Sequence, residues 1–301
     1  MKRSGLPLDS IYQEQITYSR WRTTWYALQA DWLAKSGAIL FFVLLILSVL
    51  GQWIQPYPID KQFLDNTLMP PIWDKNSDLA FVFGTDDLGR DILSRLIAGV
   101  SSTFGAGLLV ALFVFTVGIS LSLFIALGHH VRALIINHIL DMLLSIPSLL
   151  LAIIFIAFME ASLFNACIAV SLALLPRLTV TLYSAISNEL EKAYVCVLKL
   201  DGASLSFIVK RIILPNISPI LVSEFTRTLS LAILDISALG FLGLGAQLPS
   251  SEWGTMIGHS LESIFLAPWT VMLPGFCIFI TVLAINLLGF GVSRAITKGV
   301  S

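Results

Sequence analysis

The chain has 301 residues, of which 56% are hydrophobic and only 12% are charged, and its formal net charge is −1. A water-soluble domain carries about 25% charged residues, so this composition argues against a fold whose whole surface meets water. The near-zero net charge also argues against nucleic acid as a partner. A protein that crosses a lipid bilayer several times fits these values, because its outer face meets hydrocarbon.

Six hydrophobic runs are each long enough to cross a bilayer as a helix, which takes about 20 residues. We therefore predict an all-α, polytopic membrane protein with six transmembrane helices. The spans are predicted at about Ser36–Ile54, Ser101–Leu127, Ile139–Met159, Leu163–Tyr183, Ile217–Leu244 and Trp269–Val292. The first run starts late for a signal peptide and is long enough to span the membrane.

Lys and Arg determine the predicted orientation, because cytoplasmic loops are enriched in them. With both termini in the cytoplasm, twelve Lys and Arg lie in inner segments and four in outer segments. The sequence thus predicts a cytoplasmic N-terminal segment (1–35), a transmembrane domain (36–295) and a cytoplasmic tail (296–301).

One helical face before the first span carries Trp21, Trp25, Leu28 and Trp32. Tryptophan favours the boundary between lipid and water, so this face predicts a helix lying on the inner leaflet. The alternative is a short cytosolic segment without fixed structure.

The first outer loop begins with several prolines, which exclude a continuous helix over its first half. It ends with FGTDDLGRDILSRLIAG (residues 83–99), in which Thr85 can cap a helix. Leu88, Ile92 and Leu96 then repeat every four residues. We predict an amphipathic helix here that leads into the second span.

Charged residues lie inside two predicted spans, where they are costly and face a partner helix or water. They are Arg177 in the fourth span and Glu224, Arg227 and Asp235 in the fifth. Glu224 and Arg227 can pair on one helix face, and the spacing places Asp235 near that face. These charges either line a polar translocation path or form structural pairs. A later start of the fifth span would put the first two at the membrane interface.

The chain lacks the motifs of an energy source or an enzyme. It contains no Gly-Lys pair of an ATP-binding P-loop, no GxSxG nucleophile elbow and no HExxH helix. The four histidines and three cysteines show no metal-binding pattern, and the glycines of GFLGLG (240–245) suit close helix packing or a kink. We predict no catalysis, no cofactor and no metal site in this chain.

The predicted cytoplasmic loop KAYVCVLKLDGASLSFIVKRIILPN (192–216) carries apolar residues at helical spacing. They form two stripes, Tyr194, Val195 and Leu198, followed by Leu205, Ile208, Val209, Ile212 and Ile213. Asp201-Gly202 separates the stripes and can supply a bend. We predict two short helices at an angle, which either lie on lipid or dock a cytoplasmic partner. The missing energy source favours docking.

This loop, taken as 188–216, resembles the EAA loop of ABC importer permeases. Gly202 and Ala203 match the glycine region of that pattern, and its ending matches Ile212, Leu214 and Pro215. The resemblance implies that the loop couples the spans to ATPases. The residues implied in this coupling are Cys196, Val197, Leu198, Asp201, Gly202, Ala203, Leu205, Ile208, Leu214 and Pro215.

The loop departs from the family pattern at its first three positions. Cys196, Val197 and Leu198 stand where the pattern has Glu-Ala-Ala, so the glutamate is absent. Glu189 and Glu191 lie nearby and are candidates to compensate for it.

Further motifs resemble the C-type permeases of the dipeptide/oligopeptide family over residues 36–295. They are the 83–99 segment, LSIPSLLLAI (144–153), LPNISP (214–219), LGFLGLGAQLPSSEWGTMI (239–257), APW (267–269) and NLLGFGV (286–292). The LDGAS version of the loop and the AQLPS-x-EWG segment look most like the Sap branch. Family members often have a glutamate five residues before the Phe of FLGLG; here Ile236 occupies that place and Asp235 precedes it.

The resemblance implies a type I ABC importer permease fold in the inner membrane of a bacterium. It implies four kinds of partner besides the bilayer: a homologous B-type permease, two cytoplasmic ATPases and a periplasmic solute-binding protein. The implied substrates are peptides, including cationic or antimicrobial peptides, with a polyamine such as putrescine or haem as alternatives. From the residues alone, a proton- or ion-driven secondary transporter and a membrane scaffold or sensor also stay open.

Overall fold

The computed structural model describes residues 26, 28, 29, 31–128 and 130–300. In this part of the chain the secondary structure is helical, apart from an isolated bridge between Thr85 and Asp91. The principal helices are α1 (Trp32–Ile54), α2 (Ile92–Ala126), α3 (His130–Leu144), α4 (Ser148–Ile156), α5 (Leu163–Leu190), α6 (Ala193–Leu200), α7 (Leu205–Asn216), α8 (Ser218–Phe241), α9 (Trp253–His259) and α10 (Trp269–Val300). The all-α prediction is confirmed. Trp21 and Trp25 of the predicted interfacial helix lie outside the described residues.

Four helices, α1, α2, α5 and α10, are long and apolar enough to cross a membrane. Two bent pairs, α3–α4 and α7–α8, bring the number to six if each pair is one span. The pairs bend by 89° and 68° respectively. The six predicted hydrophobic runs therefore all correspond to helical elements of the fold.

Several predicted spans differ in their bounds from the helices observed. The run at Ile139–Met159 is interrupted between α3 and α4, because Pro147 lacks an amide proton and restricts the residue before it. The fourth span continues seven residues beyond Tyr183 to Leu190, although its last two turns are polar. A hydropathy pattern cannot show this extension, because helix packing rather than lipid stabilises the added turns.

Two apolar cores hold the helices together, and α2 and α8 contribute to both. The first lies between α2, α4, α5 and α8, and includes Val114, Leu151, Val170, Leu178 and Ile236. The second lies between α1, α2, α8, α9 and α10, and includes Leu44, Phe104, Leu229, Ile233 and Ile285. Helix α8, which carries three of the candidate charges, is therefore central to the fold.

The segment before α2 is a compact turn rather than the predicted start of a helix. Helix α2 begins at Ile92, where the Asp91 carboxylate accepts from the Ser94 amide at 2.8 Å. Thr85 instead accepts a hydrogen bond from the Met69 amide at 2.9 Å. The helix cannot start earlier because Gly84 and the next glycine of the turn, Gly89, have φ angles of 76° and 69°.

Glu252 connects two segments that carry sequence motifs, residues 83–99 and 239–257. Its carboxylate is fully buried, and it caps α9 by accepting from the amides of Gly254 and Thr255 at 2.9 and 2.7 Å. It also accepts from the hydroxyls of Thr103 and Ser237, each at 3.1 Å. A π-helical turn at residues 101–105 of α2 contains Thr103. One carboxylate therefore joins α2, α8 and α9.

Trp253 completes this connection. Its indole donates to the Leu96 carbonyl at 3.1 Å, and its ring lies against Gly99. A Cβ atom at Gly99 would come within 2.6 Å of that ring, so the contact requires glycine. The 239–257 segment thus packs directly onto the 83–99 segment.

We expect Glu252→Ala to destabilise the fold by about 3 kcal/mol, because it leaves several buried donors without an acceptor. Thermal unfolding of the purified protein in detergent measures the loss. Glu262→Ala is the matched control, since Glu262 is exposed and makes no ion pair within the described chain. Equal melting temperatures for the two variants would contradict this account of Glu252.

Candidate functional site

The predicted loop folds as two helices separated by a tight turn. Helix α6 ends where the amide of Ala203 donates to the Leu198 carbonyl at 3.0 Å, around Gly202 with φ 81°. Glycine adopts this left-handed conformation without the steric cost that other residues meet. Ser204 then caps α7 by accepting from the Phe207 amide. The bend predicted at Asp201-Gly202 is confirmed.

Residues 191–217, which we call the knob, have an apolar core of their own. The buried members are Val195, Ile208, Val209, Ile213 and Ile217, together with Ile186 of α5. This core attaches the knob to the end of α5. The knob also leads directly into α8, because only Ile217 separates α7 from α8.

The predicted packing stripe of α7 is only partly correct. Ile208 and Ile213 are fully buried, whereas the Leu205 residue is 51% exposed. The π-helical turn over Val209–Ile213 brings Ile208 and Ile213, which are five residues apart, onto one face, whereas Leu205 lies in the first turn of α7, before it. Leu205 therefore belongs to the outer surface of the knob and not to its core.

The exposed surface of the knob combines apolar and basic side chains. Its exposed apolar side chains are Val197, Leu200, Leu205 and Phe207. The exposed bases are Lys199, Lys210 and Arg211. Cys196, Asp201 and Gly202 are also exposed, while Leu214 and Pro215 are half-buried at the junction with α8. We call the four exposed apolar side chains the knob face.

Hydrogen bonds to Glu189 join the two ends of the knob to the end of α5. We call this junction the base of the knob. The side-chain amide of Asn216, the last residue of α7, donates to the Glu189 carboxylate at 3.0 Å. Lys192 pairs with the same carboxylate at 2.7 Å, and the Tyr194 hydroxyl also donates to it. The hydrogen bond to Glu189 raises the pKa of Lys192. Burial, with the same carboxylate, raises the pKa of Tyr194, so both groups keep their protons at neutral pH.

Arg177 lies in the middle of α5, with about 20 Å of helix on either side. Its side chain is exposed on the surface of this chain and makes no ion pair with any described residue. Thr181, Ser184 and Asn188 follow it at spacings of four, three and four, and all are at least partly exposed. These four residues, which we call the polar stripe, occupy one helical face. Lipid is a poor environment for such a face.

The sequence analysis missed three members of the polar stripe. Thr181 lies within the predicted fourth span, and Ser184 and Asn188 were placed after its end. The signal was present, because polar residues recur at i, i+4, i+7 and i+11 from Arg177. A search for polar periodicity beside the hydropathy profile would have found them.

Glu224 and Arg227 lie on one side of α8, and their side chains approach to 3.9 Å. They line a groove of about 530 Å³ between α8 and α10, together with Asn286 and Arg294. Arg294 in turn contacts the Asp31 carboxylate at 3.4 Å. The predicted pairing on one helix face is therefore observed, at a distance that is long for an ion pair.

Asp235 does not share that groove, so the predicted grouping with Arg227 is wrong. Eight residues along a helix turn the side chain by about 80° beyond two full turns, away from the groove. Asp235 is 6% exposed and lies beside Ser148, the first residue of α4. Its Oδ2 atom has no hydrogen-bond partner among the described residues. The carboxylate thus faces the break between α3 and α4.

Comparison with known proteins identifies the family. Residues 118–301 match the family "Binding-protein-dependent transport system inner membrane component", and residues 19–71 match the N-terminal transmembrane domain of oligopeptide transport permease C. The peptide transport system permease protein SapC of Escherichia coli O6:H1 is 51% identical over 295 residues, which is 98% of this chain and 100% of that protein. The chain belongs to this family of permeases.

Other relatives of this permease carry related names. SapC of Haemophilus influenzae is 44% identical over 91% of this chain and 93% of that protein. The di/tripeptide permease DppC of Pseudomonas aeruginosa is 39% identical over 86% of each chain. The inward-facing MetNI methionine ABC transporter shares the fold, with a TM-score of 0.58 and 20% identity over 67% of this chain and 96% of that one.

The permease is thus a multi-pass inner-membrane subunit of an ABC transporter. Its family works with a second permease subunit and with ATPase subunits, and its relatives are membrane subunits rather than enzymes. The predicted family and fold class are confirmed. Membership decides against the secondary transporter and the scaffold that the residues alone left open.

We expect a cysteine at Ser184 in the polar stripe to react with a charged, membrane-impermeant thiol reagent at least tenfold faster than a cysteine at Leu109. Both positions are exposed on this chain, and Leu109 is 70% exposed in an apolar groove. Water reaches only a polar path, and both the reagent and the thiolate need water. Labelling rates in the assembled transporter, with the three native cysteines replaced, measure this. Equal labelling rates would show that water does not reach the polar stripe.

Proposed function

We propose that this permease carries peptides across the bacterial inner membrane as half of a heterodimer with a homologous B-type permease. A periplasmic solute-binding protein delivers the peptide, and two cytoplasmic ATPases drive the transport. The observation that carries the proposal is the knob, a folded helical unit with an exposed apolar face that leads directly into the central helix α8. The relatives named as peptide permeases support the choice of substrate.

The knob face is the surface we assign to an ATPase. Apolar side chains exposed on a unit outside the lipid favour a protein partner, and Lys199, Lys210 and Arg211 around them favour a groove with an acidic rim. Both termini are then cytoplasmic, in keeping with the distribution of Lys and Arg. A displacement of the knob reaches α8 through Ile217, because the knob core prevents the two short helices from separating.

The polar stripe and the charges of α8 are the part of the path that we assign to this subunit. Arg177 lies too deep in the bilayer to face lipid at low cost, so we place it toward the partner permease and water. Glu224 and Arg227 line the groove nearer the cytoplasmic end of α8. Asp235 lies outside this groove, at the break between α3 and α4, where it stabilises the positive N-terminal end of α4.

We assign peptides with net positive charge as the preferred substrates. The outer segment between α1 and α2 exposes five aspartates, namely Asp60, Asp65, Asp74, Asp78 and Asp87, against the two lysines Lys61 and Lys75. Arg90 of the same segment and Arg95 of the first turn of α2 are buried with Asp86. The surface that receives substrate is therefore acidic, and it attracts cations.

Replacing Gly202 with Val tests the coupling role. A left-handed conformation costs a residue with a Cβ atom roughly 1–2 kcal/mol, so the valine distorts the knob. We expect transported peptide per ATP hydrolysed in proteoliposomes to fall at least tenfold. Gly243→Val is the matched control, since Gly243 ends α8 with φ 76°, and no described atom lies within 4 Å of a Cβ at either glycine. Equal losses in the two variants would contradict a specific role for the knob.

The substrate assignment predicts which ligands stimulate the ATPase. In proteoliposomes with the binding protein and the partner subunits, a cationic peptide should stimulate hydrolysis at least fivefold more than an anionic peptide of equal length. Putrescine and haem are the comparison ligands, since polyamines share the positive charge. Stimulation by putrescine or haem without stimulation by any peptide would overturn the assignment.

A further inference from the structure

Glu189 is placed where a carboxylate does not help its own helix. It lies in the last turn of α5, where the negative end of the helix dipole opposes an acidic side chain. Its side chain is only 8% exposed, so burial adds a second cost. Both costs require compensation from specific partners. Helix formation therefore does not account for a glutamate at this position.

The partners of Glu189 come from both ends of the knob. Lys192 and Tyr194 belong to the chain that enters the knob, and Asn216 to the chain that leaves it. The side-chain amide of Asn216 also donates to the Tyr194 hydroxyl at 3.0 Å. The side chains of Glu189, Tyr194 and Asn216 therefore form a closed ring of hydrogen bonds. One buried carboxylate therefore joins α5, α6 and α7 at the point where the knob meets the spans.

The two neutral partners account for the strength of this joint better than the ion pair does. The Lys192 side chain is 54% exposed, and an exposed ion pair contributes little because water screens it. Tyr194 and Asn216 donate hydrogen bonds to an ionised acceptor that is nearly excluded from water, which makes those bonds strong. We therefore expect the carboxyl oxygens, more than the charge of Lys192, to hold the base closed.

We infer that Glu189 is a positioning residue for energy coupling, which holds both ends of the knob against α5. With the base closed, a push on the knob face moves α5 and α8 together. With the base open, the knob can tilt about Ile217, and the displacement is lost before it reaches the spans. The inference rests on the proposed coupling role of the knob. It also supplies a carboxylate from α5 to a loop that has Cys196 where related loops have glutamate.

The first test compares three variants in the complete transporter, reconstituted with both permeases, the ATPases and the binding protein. We expect Glu189→Ala to keep its ATPase activity and to lose at least fivefold in peptide transported per ATP. Glu189→Gln should lose less than Glu189→Ala, because its carbonyl oxygen still accepts hydrogen bonds but lacks the charge that strengthens them. Glu191→Ala is the matched control and should be unchanged, since Glu191 is exposed and forms no ion pair in the part of the chain that the structure describes.

A spin label on Cys196 gives a second readout that a general loss of stability would not produce. Cys196 is exposed on the knob, and replacing Cys167 and Cys277 leaves it as the labelling site. We expect Glu189→Ala to increase the mobility of the label at temperatures where the complex stays assembled, while Glu191→Ala does not. Tyr194→Phe removes one donor with little change in volume, and should give a smaller change in the same direction.

The outcomes separate this inference from the coupling role on which it rests. Normal coupling and unchanged label mobility in Glu189→Ala and Tyr194→Phe would overturn the inference. If Gly202→Val still uncouples transport, the role of the knob stands without it. If Gly202→Val also couples normally, both fail. If Glu189→Ala does not assemble, Tyr194→Phe alone decides, and native coupling with native label mobility in that variant overturns the inference.

Discussion

The fold depends on the cost of removing charged and unpaired polar groups from water. Each such group must meet a partner inside the protein or reach water, because lipid offers neither. Glu252 meets this constraint with donors from three helices, and Asp86 meets it with Arg90 at 2.7 Å. Arg177 has no ion pair within the described residues, and we propose for that reason that its face of α5 meets water.

Two buried carboxylates hold the fold together at its opposite ends. Glu252 joins segments that are far apart in sequence on one side of the bundle, and Glu189 joins the two ends of the knob on the other. Both accept hydrogen bonds mainly from neutral donors, so each fixes geometry without a fully buried ion pair. Helix α8 extends from the neighbourhood of one carboxylate to that of the other, since Ser237 contacts Glu252 and Ser218 follows the knob.

Hydropathy and turn chemistry predicted the six helical runs and the bend at Gly202, because both depend on short stretches of sequence. The exposure of Leu205 was not predictable from spacing, since Ile208 and Val209, three and four residues further on, are buried while Leu205 is not. The separation of Asp235 from Arg227 follows from their eight-residue spacing, but the position of Asp235 beside Ser148 depends on the packing of α4, which no local pattern contains. Sequence analysis named Glu189 only as a nearby acid, because its partner Asn216 is 27 residues away.

Membership of α8 in both apolar cores limits how the subunit can move. If α8 shifted relative to either group of helices, it would open cavities beside Ile233 or Ile236, and each cavity would cost several kcal/mol. The subunit is therefore expected to move as one piece, with its helices in fixed relation. We therefore expect the movement during transport to lie at the surface between this permease and its partner.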